Sequence, residues 1–176
     1  LDRAILELGE EGIKVERPKV GVMIEVPATI YQMDALAKRV DFFSVGSNDL
    51  LQYLLAVDRN NPRVSSLYDA LHPALLGALQ ELAQDAKRLN KPISLCGELA
   101  GDPAGALLLM AMGFTSLSMN APSLPKVRAA IRRVTLADAQ TLLKEIMRLD
   151  TPALVHEHLN KRLDEWQLSH LLPPRD

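Results

Sequence analysis

Three short apolar runs in this chain each lead into residues able to do acid, base or metal chemistry. Lys19-Val-Gly-Val-Met-Ile-Glu25 closes on a carboxylate, and Phe42-Phe-Ser-Val-Gly46 runs into Ser47-Asn48-Asp49. Pro92-Ile-Ser-Leu-Cys96 closes on the one thiol of the chain and is followed by Gly97-Glu98. A carboxylate after Val, Met and Ile is costly to bury unless a cation offsets it. Two carboxylates at adjacent strand ends make a plausible hard-cation site, because Mg²⁺ takes one or two of them and fills its remaining positions with water and substrate oxygens. Each residue also has a purely structural reading. Glu25 could pair with a neighbouring Lys or Arg, and Asp49 could belong to the N-cap of a helix starting before Leu50-Leu51.

Gly46-Ser47-Asn48-Asp49 has a second use open to it, since the N–H groups at a helix start bind anions, phosphate commonly among them. Arg59, in Ala56-Val-Asp-Arg-Asn-Asn61, could clamp such a phosphate with its planar fork, or simply pair with Asp58 in an exposed loop. Cys96 as a thiol could give a proton to a carbanion and as a thiolate could attack; a lone cysteine also serves as a small buried apolar residue. His72, before Pro73, reads as structural; His156 and His158 fall in a polar helix and His170 in the tail. None of these histidines has the spacing to Cys96 or to one another expected of a zinc site.

The elements that must position these groups alternate in type. Four strands are expected, at 19–25, 42–46, 92–96 and 115–119, as continuous apolar runs of the kind found in a buried parallel sheet. Helical spacing of apolar residues fits 28–39, 74–89, 104–112, 124–132, 136–148 and 151–163, with Pro73 suited to a first turn and Pro173-Pro174 marking a frayed end. The 104–112 segment is apolar nearly all round and is expected between the sheet and its neighbours. Four βα units suit either half of a (β/α)8 barrel or a small doubly wound sheet; a whole barrel needs about 200 residues or more. The chain has 176 residues. No glycine-rich phosphate turn follows the first strand, and the polar residues gather at strand C-terminal ends, as barrel enzymes arrange them. The expected fold is α/β, the C-terminal half of a (β/α)8 barrel, with residues 1–176 forming one portion of that domain.

Composition narrows the partners. A net charge of −2 supplies no basic field for nucleic acid or an anionic membrane. No apolar run reaches bilayer length and no signal peptide opens the chain. One cysteine makes no internal disulfide, which is compatible with the reducing cytoplasm.

Four stretches then carry a resemblance: Gly21-Val-Met-Ile-Glu-Val-Pro27, Asp41-Phe-Phe-Ser-Val-Gly-Ser-Asn-Asp-Leu50, Ala56-Val-Asp-Arg-Asn60 and Leu95-Cys-Gly-Glu-Leu-Ala-Gly-Asp-Pro103. In order and spacing they resemble the C-terminal barrel of the phosphoenolpyruvate (PEP)-utilising enzymes, from about Lys19 to Ala121. The Val-Asp-Arg segment and the Gly-Glu-Leu-Ala-Gly-Asp-Pro run are closer to Enzyme I of the PEP-dependent phosphotransferase system than to pyruvate phosphate dikinase. From Val134 onward the chain looks more like the nitrogen-regulatory Enzyme I paralogue than the sugar-transport enzyme.

The resemblance implies roles. Glu25 and Asp49 match two Mg²⁺ ligands, Asn48 and the Asp49 backbone a PEP-contacting turn, and Arg59 a phosphate-binding arginine. Cys96 matches the acid that protonates the enolate methylene carbon to give pyruvate, with Glu98 orienting its loop. It also implies a homodimer, a histidine phosphocarrier protein as partner, and a phosphoryl-accepting histidine on a separate domain. No segment of this chain matches that domain, nor the earlier barrel strands that supply two further arginines. The chain opens at Leu1-Asp2-Arg3, without Met, on what looks like the end of a helix. It is expected to be a fragment that does not transfer phosphate alone, with an unpaired first strand and uncovered apolar faces. Two other readings are another PEP-utilising enzyme, such as a dikinase, and a dimerisation or regulatory module without chemistry.

Overall fold

The computed structural model describes residues 1–171; Pro173 and Pro174 lie outside them. Four strands, β1 (Gly21–Ile24), β2 (Phe42–Gly46), β3 (Ile93–Cys96) and β4 (Ser116–Ser118), form one parallel sheet in the order β1-β2-β3-β4. All four expected strands are present, each shorter than its apolar run. The order follows the sequence without the reversal that marks a doubly wound sheet. Register pairs Met23 with Ser44, Ser44 with Ser94 and Ser94 with Ser116, and it pairs Gly46 with Cys96 and Cys96 with Ser118.

Side chains alternate across a strand, so this register sorts the sheet into two unlike faces. Ile24, Phe43, Val45, Ile93 and Leu95 are buried on the face that the helices cover. Met23, Ser44, Ser94, Cys96, Ser116 and Ser118 lie on the other face and are half-buried or exposed, with Met23 at 44%. The expectation of strands apolar on both faces therefore fails, and alternate serines are the reason. The uncovered face mixes small polar residues with the apolar side chains of Met23 and Phe42.

The helices are α1 (Asp2–Glu10), α2 (Met33–Ala37), α3 (Ser47–Leu55), α4 (Pro73–Arg88), α5 (Glu98–Gly101), α6 (Pro103–Met112), α7 (Leu124–Arg133), α8 (Leu136–Ile146) and α9 (Pro152–Glu165). The helix expected at 28–39 is instead a 3-10 turn, Pro27–Gln32, passing into the short α2. Ile30, Met33 and Leu36 recur every three residues, a spacing that a 3-10 turn satisfies as well as an α-helix. The opening segment makes a nine-residue helix, α1, with no buried residue.

Helix α6 is central: Pro103 to Leu109 are all buried, and it packs against α4, α5, α7 and α8. His72 has the structural role expected of it, its Nδ1 accepting from Ala74 N–H at 3.1 Å to cap α4. In α9, His156 Nε2 sits 2.9 Å from Asp69 Oδ2, tying this last long helix to the loop before α4.

Asp102 caps α6 by accepting from Gly105 N–H at 2.7 Å. Burial pushes its carboxyl above the ordinary value, against the backbone N–H groups of Gly105 and Ala104 and the nearby His156. A folded-state pKa above the unfolded one means the folded protein binds this proton more tightly. That contribution to stability is present below the unfolded carboxyl pKa and is lost as pH rises through the folded value. Asp102→Asn, which still caps a helix, should flatten this fall in the urea midpoint from about pH 4 upward. An unchanged pH profile would show that Asp102 does not cause it.

Candidate functional site

Glu25 lies one residue beyond β1, and its carboxylate rests against the first turn of α3. It can do so because Gly46 has no side chain: a Cβ there would stand 3.0 Å from Glu25 Oε2 and 3.3 Å from its Cβ. Among the described residues the Glu25 carboxylate has no hydrogen bond or ion pair, so the salt-bridge alternative is not realised.

Helix α3 begins directly at the end of β2. Gly46 occupies its N-cap, and no side chain caps the turn, leaving the first N–H groups without a side-chain acceptor. Asp49 therefore is not the cap; it sits in the first turn, where the helix dipole favours a carboxylate. Ala56 then closes α3 in the left-handed conformation, φ 53°, and Val57 N–H donates to Gln52 O at 3.0 Å. This fold-back, with Arg59 N–H on Gln52 Oε1 at 3.3 Å, returns Arg59 to the start of the helix. Arg59 Nη2 lies 3.6 Å from Asp49 Oδ1, while Asp58 instead accepts from Asn60 N–H. The arginine pairs across the site rather than with its sequence neighbour.

Tyr68 completes this corner. Its hydroxyl donates to the Asn48 carbonyl oxygen at 3.0 Å. The nearby Tyr68 hydroxyl, then the Asp49 and Glu98 carboxylates, hold the Arg59 guanidinium above its ordinary pKa against the effect of burial. Burial raises the Tyr68 hydroxyl, against the pull of Arg59, so it stays protonated at neutral pH.

Cys96 ends β3 beside Gly46. Its Sγ donates toward Val45 O at 3.5 Å and touches Met23 Sδ at 3.9 Å, on the uncovered face of the sheet. The loop after it is fastened to α3 twice. Buried Ser47 donates to Cys96 O at 3.2 Å, and Asn48 Oδ1 accepts from Glu98 N–H at 3.1 Å. Glu98 thus helps to fix the cysteine loop through its backbone, not its carboxylate. Gly97 sits at φ +138° and ψ 179°, in a region essentially reserved for glycine.

The three strand ends thus bring Glu25, Asn48, Asp49, Arg59 and Cys96 together around the start of α3. Two carboxylates near open N–H groups and a guanidinium can receive an anion bridged by a hard cation. No group of three or more His, Cys, Asp or Glu side chains that could hold a metal ion occurs among the described residues. Sequence reasoning missed Ser47 and Tyr68. The hydroxyl of Ser47 could have been noticed, whereas nothing local distinguishes Tyr68, nine residues past Arg59. Beside the cluster lies a cavity of about 330 Å³, lined by Tyr68, Asp69, Leu71, Glu98, Asp102 and His156 among others. Among the described residues no helix is long and apolar enough to cross a membrane.

The family model for the PEP-binding domain of PEP-utilising enzymes matches residues 1–136, beyond the four motifs on either side. The phosphoenolpyruvate-dependent phosphotransferase system protein of Salmonella typhimurium is 47% identical over 145 residues, covering 82% of this chain and 19% of that protein. Its Escherichia coli counterpart is 46% identical over 143 residues, covering 81% of this chain and 19% of that protein. A phosphoenolpyruvate-protein phosphotransferase of Haemophilus influenzae is 41% identical over 164 residues, 93% of this chain and 28% of that protein. The chain spans only that minor share of each relative's length. Over its own length the likeness is nearly continuous, and the chain belongs to the PEP-utilising enzyme family through its PEP-binding domain.

Proposed function

We propose that this chain is the PEP- and Mg²⁺-holding part of a phosphotransferase that moves the phosphoryl group of PEP to a protein histidine and releases pyruvate. The observation that carries this reading is the convergence of the three strand ends on α3, with Glu25 unpaired and Arg59 turned back to Asp49. Glu25 and Asp49 are the residues that would hold Mg²⁺, which when bound supplies charge neutralisation at the phosphate and carboxylate oxygens. Asn48 and the open N–H groups at the start of α3 orient PEP, and Arg59 binds its phosphate. Cys96 gives its thiol proton to the methylene carbon of the enolate left after phosphoryl transfer, and the thiolate regains a proton from water. The accepting histidine belongs to another part of the parent protein, so residues 1–176 alone do not turn over. The sequential parallel strands, with helices on one face, support reading the sheet as half of a (β/α)8 barrel whose serine-bearing face turns inward.

The names of the relatives favour a phosphotransferase over a dikinase. A histidine phosphocarrier protein as next acceptor, a homodimer and a cytoplasmic site complete the reading. Whether the parent serves sugar transport or nitrogen regulation follows from which carrier accepts its phosphate.

The test is calorimetric titration of the full-length protein with PEP in the presence and absence of Mg²⁺. PEP binding should require Mg²⁺ in the parent and be lost in both Glu25→Gln and Asp49→Asn with the fold intact by circular dichroism. Metal-independent PEP binding, or wild-type binding in both variants, would overturn the assignment.

A further inference from the structure

At 2% exposed, Ser47 is the most deeply buried polar side chain among the described residues. A serine at the start of a helix ordinarily caps nearby backbone N–H groups. This one does not. Helix α3 has no side-chain cap, and Ser47 Oγ donates instead to the Cys96 carbonyl oxygen, 49 residues away, at 3.2 Å. Burial of a hydroxyl without a partner is costly, so this bond is what makes a serine tolerable there.

The bond falls where the chain needs it. Cys96 is the last residue of β3, and Gly97 turns out of the sheet at φ +138°, so strand pairing ends at the residue that carries the thiol. The thiol has only long contacts of its own, to Val45 O at 3.5 Å and Met23 Sδ at 3.9 Å, and an S–H group is a weak donor. Its direction is therefore set through the backbone, and Ser47 grips the carbonyl of that same residue. Gly97 allows the approach, since a Cβ on it would overlap Ser47 Oγ. Asn48 Oδ1 accepts from Glu98 N–H at 3.1 Å and holds the turn after Gly97, which leaves the strand end before it to Ser47.

We propose that Ser47 is a positioning residue for the protonation step, whose hydroxyl fixes the Cys96 carbonyl, and through it the thiol, to the turn of α3 that receives PEP. This rests on the functional reading above, which gives Cys96 the proton and the start of α3 the substrate. Donor and substrate then share one point of reference, and proton transfer, which needs hydrogen-bond reach, depends on it. The Ser47 hydroxyl is committed to Cys96 and takes no part in phosphoryl transfer.

The experiment compares the full-length phosphotransferase as wild type, Ser47→Ala, Ser47→Thr and the Ser47→Ala/Cys96→Ala double variant. Two rates are measured: rapid-quench formation of phosphohistidine from PEP, and exchange of pyruvate methyl protons into deuterated solvent. Ser47→Ala should slow the exchange about 3- to 10-fold, the loss expected for one hydrogen bond, with phosphohistidine formation and KM for PEP unchanged. The ratio of the two rates is independent of how much protein is folded, so a loss of stability does not imitate the effect. Ser47→Thr keeps the hydroxyl and should restore the ratio. In the Cys96→Ala background Ser47→Ala should add nothing, because the group it positions is gone. Equal slowing of both rates, an unchanged exchange rate, a ratio as low in Ser47→Thr as in Ser47→Ala, or a full further loss in the Cys96→Ala background would each overturn the positioning role. Failure of the wild-type protein to form phosphohistidine from PEP would instead overturn the functional reading, and this inference with it.

Discussion

Replacing Cys96 with alanine in the full-length phosphotransferase should slow pyruvate formation about 10²–10⁴-fold, the usual worth of a positioned general acid, while sparing phosphorylation of the accepting histidine. The separation follows from where the thiol lies. Sγ stands at the end of β3 on the uncovered face, beside Met23 Sδ and Val45 O. In the proposed reaction Arg59 and the two carboxylates serve the phosphate and the charge that develops as it leaves. The thiol would act afterwards, when the enolate methylene carbon needs a proton to become the methyl group of pyruvate. Rapid-quench measurement of phosphohistidine, set beside coupled detection of pyruvate, separates the two steps. The variant should also lose exchange of pyruvate methyl protons with deuterated solvent, which runs through the same proton transfer in reverse. Loss of phosphohistidine formation itself would sink the proton-donor role. Little stability should change, because the side chain is only half-buried and alanine leaves the backbone bond from Ser47 to the Cys96 carbonyl intact.

Much of the scaffold was legible because its signals are short-range. Short runs between turn residues disclosed four parallel strands, and the all-apolar 104–112 stretch disclosed the central helix. Less legible was anything decided by contacts across the fold. Ile30, Met33 and Leu36 recur every three residues, a spacing that does not tell the 3-10 turn Pro27–Gln32 from the α-helix Met33–Ala37 that follows it. Alternate serines at 44, 94, 116 and 118 were visible, yet their meaning depends on a register that lines them up on one face. For the site, the residue types were legible and their partners were not. Arg59 pairs with Asp49, ten residues back, because Ala56 reverses the chain, and a left-handed alanine is not something a sequence announces. The resemblance to the PEP-utilising enzymes supplied roles to residues whose structural readings were individually at least as strong, and the comparisons extend that family likeness to residue 136. Tyr68 escaped both routes, since the partner of its hydroxyl, the Asn48 carbonyl, lies twenty residues back in the chain.

Gly97→Ala should lower stability by about 2–5 kcal/mol, combining backbone strain with overpacking, and should disable PEP binding in the molecules that still fold. At φ +138° and ψ 179° the residue occupies backbone space that a side chain makes costly. A methyl group there would also overlap Ser47 Oγ and stand 2.9 Å from Asn48 Oδ1. Neither neighbour can yield cheaply. Ser47 is 2% exposed and holds the Cys96 carbonyl; Asn48 Oδ1 holds the Glu98 N–H. Relief of the crowding must therefore break the stitches that register the cysteine loop against the start of α3. Gly113 provides the control. It ends α6 in the left-handed region, φ +101°, with nothing within 4 Å of a Cβ, so Gly113→Ala carries strain alone, about 1–2 kcal/mol. Urea denaturation of both variants, with PEP titration of each, isolates the cost of crowding at the site from that of backbone conformation. Equal losses of stability, with PEP binding kept in both, would mean that the close approach of β3 and α3 does not organise the site. A larger loss at Gly97, accompanied by failure to bind PEP, would show that it does.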